Sequence, residues 1–176
     1  MNQKTLNAIL ANHDKWVSDP TTGAKADLHG ANLHGADLHG VNLARASLFG
    51  ADLATADLTG ANLTEASLYR ADLTEANLAT ADLTGANLAR ASLIGADLAG
   101  ANLTGADLTE ANLTGADLDF AALPLWCGGL GFKLDERLAK QIMYHALSLC
   151  HEHVVPDAAL REWVNTFHRV GEVPKL

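Results

Sequence analysis

With 176 residues, 48% of them apolar, the chain is long enough for one domain with appendages and too apolar for a disordered polymer. Its formal charge of −9 is unevenly placed: residues 26–123 hold ten Asp and three Glu against three Arg and no Lys, a net of −10, and the flanks are close to neutral. A segment this acidic is unsuited to gripping a phosphate backbone, so direct nucleic-acid binding is not expected and a basic partner, or none, fits better.

The first residues, Met1-Asn2-Gln3-Lys4-Thr5-Leu6, show no charged leader followed by a long apolar run. No stretch approaches the roughly 20 apolar residues of a membrane span, so a cytoplasmic protein with no membrane contact is expected. Residues 3–17 place Leu6, Ile9, Leu10, His13, Trp16 and Val17 at helical intervals, and Asp19-Pro20-Thr21-Thr22-Gly23 ends that helix. Residues 1–25 are therefore expected to form a helical cap that covers the first edge of whatever follows.

From Leu28 to Leu123, Leu recurs at every fifth residue without a break. Two positions before each Leu stands Ala, with Val41 the one exception, and between the two stand nine Asp, seven Asn, three Ser and finally Ala122. The unit reads Ala-(Asp/Asn/Ser)-Leu-x-x. A period of five matches neither a helix nor a simple strand, either of which would point the leucines in every direction. The chain must turn once per unit, with Leu and Ala inward and the other three positions outward. Four units close a 20-residue coil. Coils stacked at ~4.8 Å turn residues 26–123 into a five-coil, four-sided shaft roughly 24 Å long. Gly at the second x, as in Gly30 and Gly40, supplies the positive φ of a type II turn. Corners carrying Arg45, Thr55, Glu65, Arg70, Glu75, Thr80, Arg90 or Glu110 are expected to use another turn, so that corner geometry alternates.

The Ala-(Asp/Asn)-Leu-x-x tandem resembles the pentapeptide repeat family over a little more than half of the chain. That resemblance implies a mainly β fold, the right-handed quadrilateral β-helix; the spacing alone reaches only a square coil.

After Leu123 the pattern gives way to Pro124-Leu125-Trp126-Cys127-Gly128-Gly129-Leu130-Gly131-Phe132. Asp135 can cap a helix carrying Leu138, Ile142, His145 and Leu149, and Pro156-Asp157 starts a second with Leu160, Trp163, Val164 and Phe167. Residues 124–176 thus resemble the appended caps of bacterial family members, and homodimerisation through them is one expectation. Cys127 and Cys150 lack CxxC spacing and read as buried thiols.

Stacking by twenty sorts the outward residues into columns. The first side carries His29, Phe49, Tyr69, Ala89 and Thr109 beside Gly30, Gly50, Arg70, Arg90 and Glu110. Phe49, Tyr69, Arg70 and Arg90 make the most interface-like patch, because aromatic and Arg residues are enriched at binding hot spots. The third side stacks Asp37, Asp57, Asn77, Asp97 and Asp117 and is the most acidic. Some members of the family mimic DNA and bind type II topoisomerases, which the resemblance offers as an alternative use of Asp37, Asp57, Asp97 and Asp117. A shaft this short spans only about seven base pairs, and the alternating Asn and Ser dilute its charge.

No metal site or cofactor is expected. His29, His34 and His39 fall on three different sides, Cys150-His151-Glu152-His153 has no second ligand cluster, and Gly128-Gly129-x-Gly131 lacks the context of a phosphate loop. The flat column of Thr64, Thr84 and Thr104 is similar to an ice-binding array, but Arg45 and Glu65 on the same side interrupt the regularity. Convex carboxylates offer no pocket for catalysis. The expected role is a non-enzymatic scaffold or protein-binding module. Ala71→Leu should overpack the interior and abolish cooperative thermal unfolding; an unchanged melting temperature would count against the square cross-section.

Overall fold

The computed structural model describes residues 1–123. The C-terminal segment 124–176, with both expected helices, Cys127, Cys150, the Cys150–His153 cluster and the surface expected to serve for homodimerisation, lies outside the described residues.

Helix α1 runs Gln3–Ser18. Asn2 caps it by accepting the Thr5 amide, and Asp19 leaves the helix in an extended conformation with its own N–H on the Lys15 carbonyl. Its inward face buries Leu6 and His13. Gly23, at φ 68°, lets the chain turn back tightly: the next amide, Ala24, donates to the Asn12 carbonyl at 3.2 Å. α1 and the repeats fall in one compact unit.

From Asp27 onward each polar position pairs in parallel with the residue twenty further on, from Asp27 with Ser47 to Asn102 with Ala122. The expected 20-residue coil is therefore the observed register. Leu28 through Leu118 are buried at every fifth position, as are the alanines from Ala46 to Ala116. Ala31, Ala36 and Val41 at the N-terminal edge are only half-buried, because no coil precedes them to complete their packing, and Leu123 is half-buried as well.

The backbone donors of a unit can be followed one at a time. Using Ala51–Thr55, the Ala51 amide donates back to the Leu48 carbonyl and closes the corner. The Asp52 amide reaches Ala31 in the preceding coil, while the Leu53 and Thr55 amides reach Asp72 and Thr74 in the following one. Only the first-x amide, Ala54, finds no carbonyl; it donates to the Asp52 carboxylate at 3.2 Å.

The corners do not alternate as expected. Arg45, Thr55, Glu65, Arg70, Glu75, Thr80, Arg90 and Glu110 have φ between 55° and 62°, close to Gly30 at 59° and Gly40 at 62°, and Phe120 joins them at 61°. Each corner closes with the same bond from the small inward residue's amide to the preceding Leu carbonyl where both partners are described, Ala46 to Leu43 as much as Ala31 to Leu28, with Val41 to Leu38 the one that is not Ala. The reason is the register. Gly50 stands over Arg70 in one column, and a different turn at either would displace the second-x amide that links coil to coil. Stacking thus overrides a local cost of about 1–2 kcal/mol per non-glycine residue.

Two glycines separate the costs of conformation and space. A Cβ on Gly40 meets nothing within 4 Å, whereas one on Gly23 would lie 2.2 Å from the Asn12 carbonyl. Gly40→Ala should cost about 1 kcal/mol in denaturant unfolding. Gly23→Ala should cost more than that and strip α1 of hydrogen-exchange protection.

Candidate functional site

The first side brings its expected residues together. Phe49 stacks on Tyr69 with centroids 5.5 Å apart and planes inclined by 24°. His29 extends the stack at 4.7 Å from Phe49. Arg70 lays its guanidinium 5.2 Å from the Tyr69 ring centre, a cation–π contact. Arg90 donates to the Tyr69 hydroxyl at 3.3 Å and pairs with Glu110 at 2.9 Å, which holds its pKa above the ordinary value. His29 and Glu110 were legible as column members but not as contacts. Arg70 has no carboxylate partner among the described residues, so the patch carries one uncompensated cation on an acidic shaft.

The stacked rings spend their faces on one another. Such a wall suits apolar side chains of a protein better than a sugar or base that needs an open ring face.

The third side forms the expected column, with Asp37 paired to Asp57 and Asp97 to Asp117. Their Oδ1 atoms accept the amides of His39, Thr59, Ala99 and Asp119 at 2.9–3.2 Å. Thr59 adds its hydroxyl at 2.6 Å, and the two bonds hold the Asp57 carboxyl below its usual range. Asp82 on the fourth side is lowered in the same way by Thr84. Such groups stay ionised, the opposite of what a proton-donating acid needs.

Every Asp and Asn of the repeat closes this local bond, from Asp27 to Asp117; the three serines, Ser47, Ser67 and Ser92, do not among the described residues. Each Ser precedes by two a large outward side chain: Phe49, Tyr69 and Ile94. Both positions point out from the same side, and at these three units the serine hydroxyl, a weaker acceptor for the amide two residues on than a carboxylate or carboxamide, does not take up the bond. Ile94, 40% exposed, went unnoticed in the sequence; the serine before it was the available signal.

His29, His34 and His39 stay on separate sides, and no group of three or more metal-ligating side chains occurs among the described residues. His34 lies 3.9 Å from Asp52. The α1 junction forms an open groove of about 230 Å³ lined by Trp16, Val17, Pro20, Ala44 and Arg45, whose guanidinium is engaged by Glu65 at 2.8 Å. Among the described residues no helix is long and apolar enough to cross a membrane.

Five-residue sides, a buried Leu/Ala interior and parallel pairing at twenty residues define a four-sided solenoid of the β-helix class. The chain belongs to the pentapeptide repeat family: eight copies of the pentapeptide repeats match across residues 26–64, 46–88 and 81–119. Its β-helix is accordingly right-handed. Similar solved structures include HetL, a pentapeptide repeat protein involved in heterocyst differentiation regulation from the cyanobacterium Nostoc sp. strain PCC 7120. It is 38% identical over 62% of this chain, with a TM-score of 0.40, and the match spans 54% of HetL. A pentapeptide repeat protein from the Arabidopsis thaliana thylakoid lumen, AT2G44920, is 29% identical over 77% of this chain and 88% of its own, with a TM-score of 0.46. QnrB1, a plasmid-mediated fluoroquinolone resistance protein, is 19% identical over 73% and 75%, with a TM-score of 0.33. No match is found among curated proteins.

If the carboxylate-to-amide bond is what the repeat requires, Asp82→Asn should be nearly neutral and Asp82→Ala should cost about 1 kcal/mol in denaturant unfolding. The lowered Asp82 pKa stabilises the fold above 3.8, and that contribution is lost as pH falls through the folded value. The Asn variant should lack this acid limb.

Proposed function

We propose that the protein is a non-enzymatic interaction module whose partner protein docks on the column of Phe49, Tyr69, Arg70 and Arg90. The column stands on a five-coil shaft, 26–123, capped at its N-terminal edge by residues 1–25, with 124–176 as a third region. The observation that carries this reading is the serine exchange. At Ser47 and Ser67 the repeat gives up a backbone-satisfying carboxylate or amide, and large rings stand outward at Phe49 and Tyr69. A shaft needing only stability would gain more from keeping the bond.

Docking through the acidic side, as a DNA mimic, is the less favoured reading. Asn77 interrupts that column, and the carboxylates are bonded to their own backbone in the same manner as asparagines elsewhere. Their acidity is accounted for by folding.

Affinity capture followed by Kd measurement on the captured partner separates the two. Phe49→Ala/Tyr69→Ala and, independently, Arg70→Glu should each weaken binding about tenfold or more. Asp57→Asn/Asp97→Asn, which preserves the backbone bonds, should leave Kd within about twofold. The reverse pattern would transfer the function to the acidic side.

A further inference from the structure

His13 is the one polar residue wholly buried among the described residues. Its Nδ1 accepts a 3.0 Å hydrogen bond from the amide of Ala26, the first inward residue of the repeat. An imidazole that accepts at Nδ1 is neutral and carries its proton on Nε2. That Nε2 is buried with no hydrogen-bond partner among the described residues, and Trp16 stacks on the ring at 5.6 Å. A second proton has no place here. It would set an N–H against the Ala26 N–H and enclose a cation in a wholly buried site.

The charged groups facing the ring are Asp14 on α1 and Lys25 in the connection; the β-helix contributes the backbones of Ala26 and Ala44. Burial is the main influence and lowers the pKa from 6.5, and Lys25 acts in the same direction. Asp14 and the Ala44 backbone oppose it without prevailing.

We propose that His13 is an acid-sensitive latch: neutral, it fastens α1 across the N-terminal edge of the β-helix, and protonated, it releases α1 while the shaft stays folded. The sign follows from proton binding. The released helix has the free value of 6.5 and the latched helix a lower one, so the latch is at full strength above 6.5. It weakens as pH falls below 6.5, by at most about tenfold per pH unit, until the lowered value is passed. Among the described residues the shaft buries no titratable side chain. Its interior is Leu and Ala, and the perturbed carboxylates Asp57 and Asp82 titrate below 3.8.

Hydrogen exchange followed by mass spectrometry, corrected for intrinsic rates, tests this at about pH 5 and about pH 7.5. At the lower pH the amides of residues 7–18 should lose about tenfold or more of their protection, while those between Leu48 and Leu108 keep theirs. His13→Gln can still accept the Ala26 amide but does not titrate, and should remove the acid response. A variant carrying Gln at His29, His34 and His39, the exposed histidines at the same end, should retain it. Equal α1 protection at both pH values in the wild type would overturn the latch whether or not His13→Gln folds. So would an acid response that disappears in the triple variant, or a shaft that opens together with α1.

Discussion

One backbone amide in every five has no carbonyl left to receive it. The coil-to-coil ladder takes three of the unit's N–H groups and the corner takes a fourth, which leaves the first-x amide pointing outward at each side of the square. Asp or Asn one residue before Leu supplies the missing acceptor. Much of the chain's outward chemistry follows from that debt. The shaft is acidic because Asp serves this purpose as well as Asn, and its Thr residues settle beside the same oxygens, as Thr59 and Thr84 do. Where the acceptor is withdrawn, at Ser47, Ser67 and Ser92, a large apolar side chain occupies the neighbouring outward position.

The same ladder explains the tolerance of unfavourable corners. Left-handed backbone at Glu65 or Arg70 is costly in isolation, but each of these corners is fixed by amide–carbonyl bonds to the coils on either side of it. The long polar side chains placed there also reach one coil along the column, Arg45 to Glu65 and Arg90 to Glu110. Exposed ion pairs of this kind add little energy each. They are better understood as the consequence of a column that brings residues twenty apart into contact.

Much of this was legible in the sequence because one period fixes everything at once. The Leu and Ala positions, the register of twenty and the membership of each column follow from the five-residue spacing, and the Phe49–Tyr69 stack follows from the columns. The uniform corners were not legible, since the choice of Arg or Gly at a turn is a local signal and the geometry there is set by neighbouring coils. His13 was visible as part of an apolar helical stripe, but its bond to Ala26 depends on how α1 folds back at Gly23. The role of Asp and Asn was hidden for a different reason. Composition presents them as charge and polarity, and only the count of backbone donors reveals them as structural acceptors.

A register of twenty also gives the shaft a simple arithmetic of growth. Adding or losing four units preserves every column, because each later residue returns to the side it occupied before. Adding or losing one unit turns everything downstream by a quarter of a revolution. Placed between Phe49 and Tyr69, a single extra pentapeptide would carry the tyrosine and its arginines round to the adjacent side without disturbing one buried leucine. A solenoid of this kind can therefore exchange its surfaces by rotation, keeping the same core and the same backbone bonds while presenting a different combination of side chains on each wall.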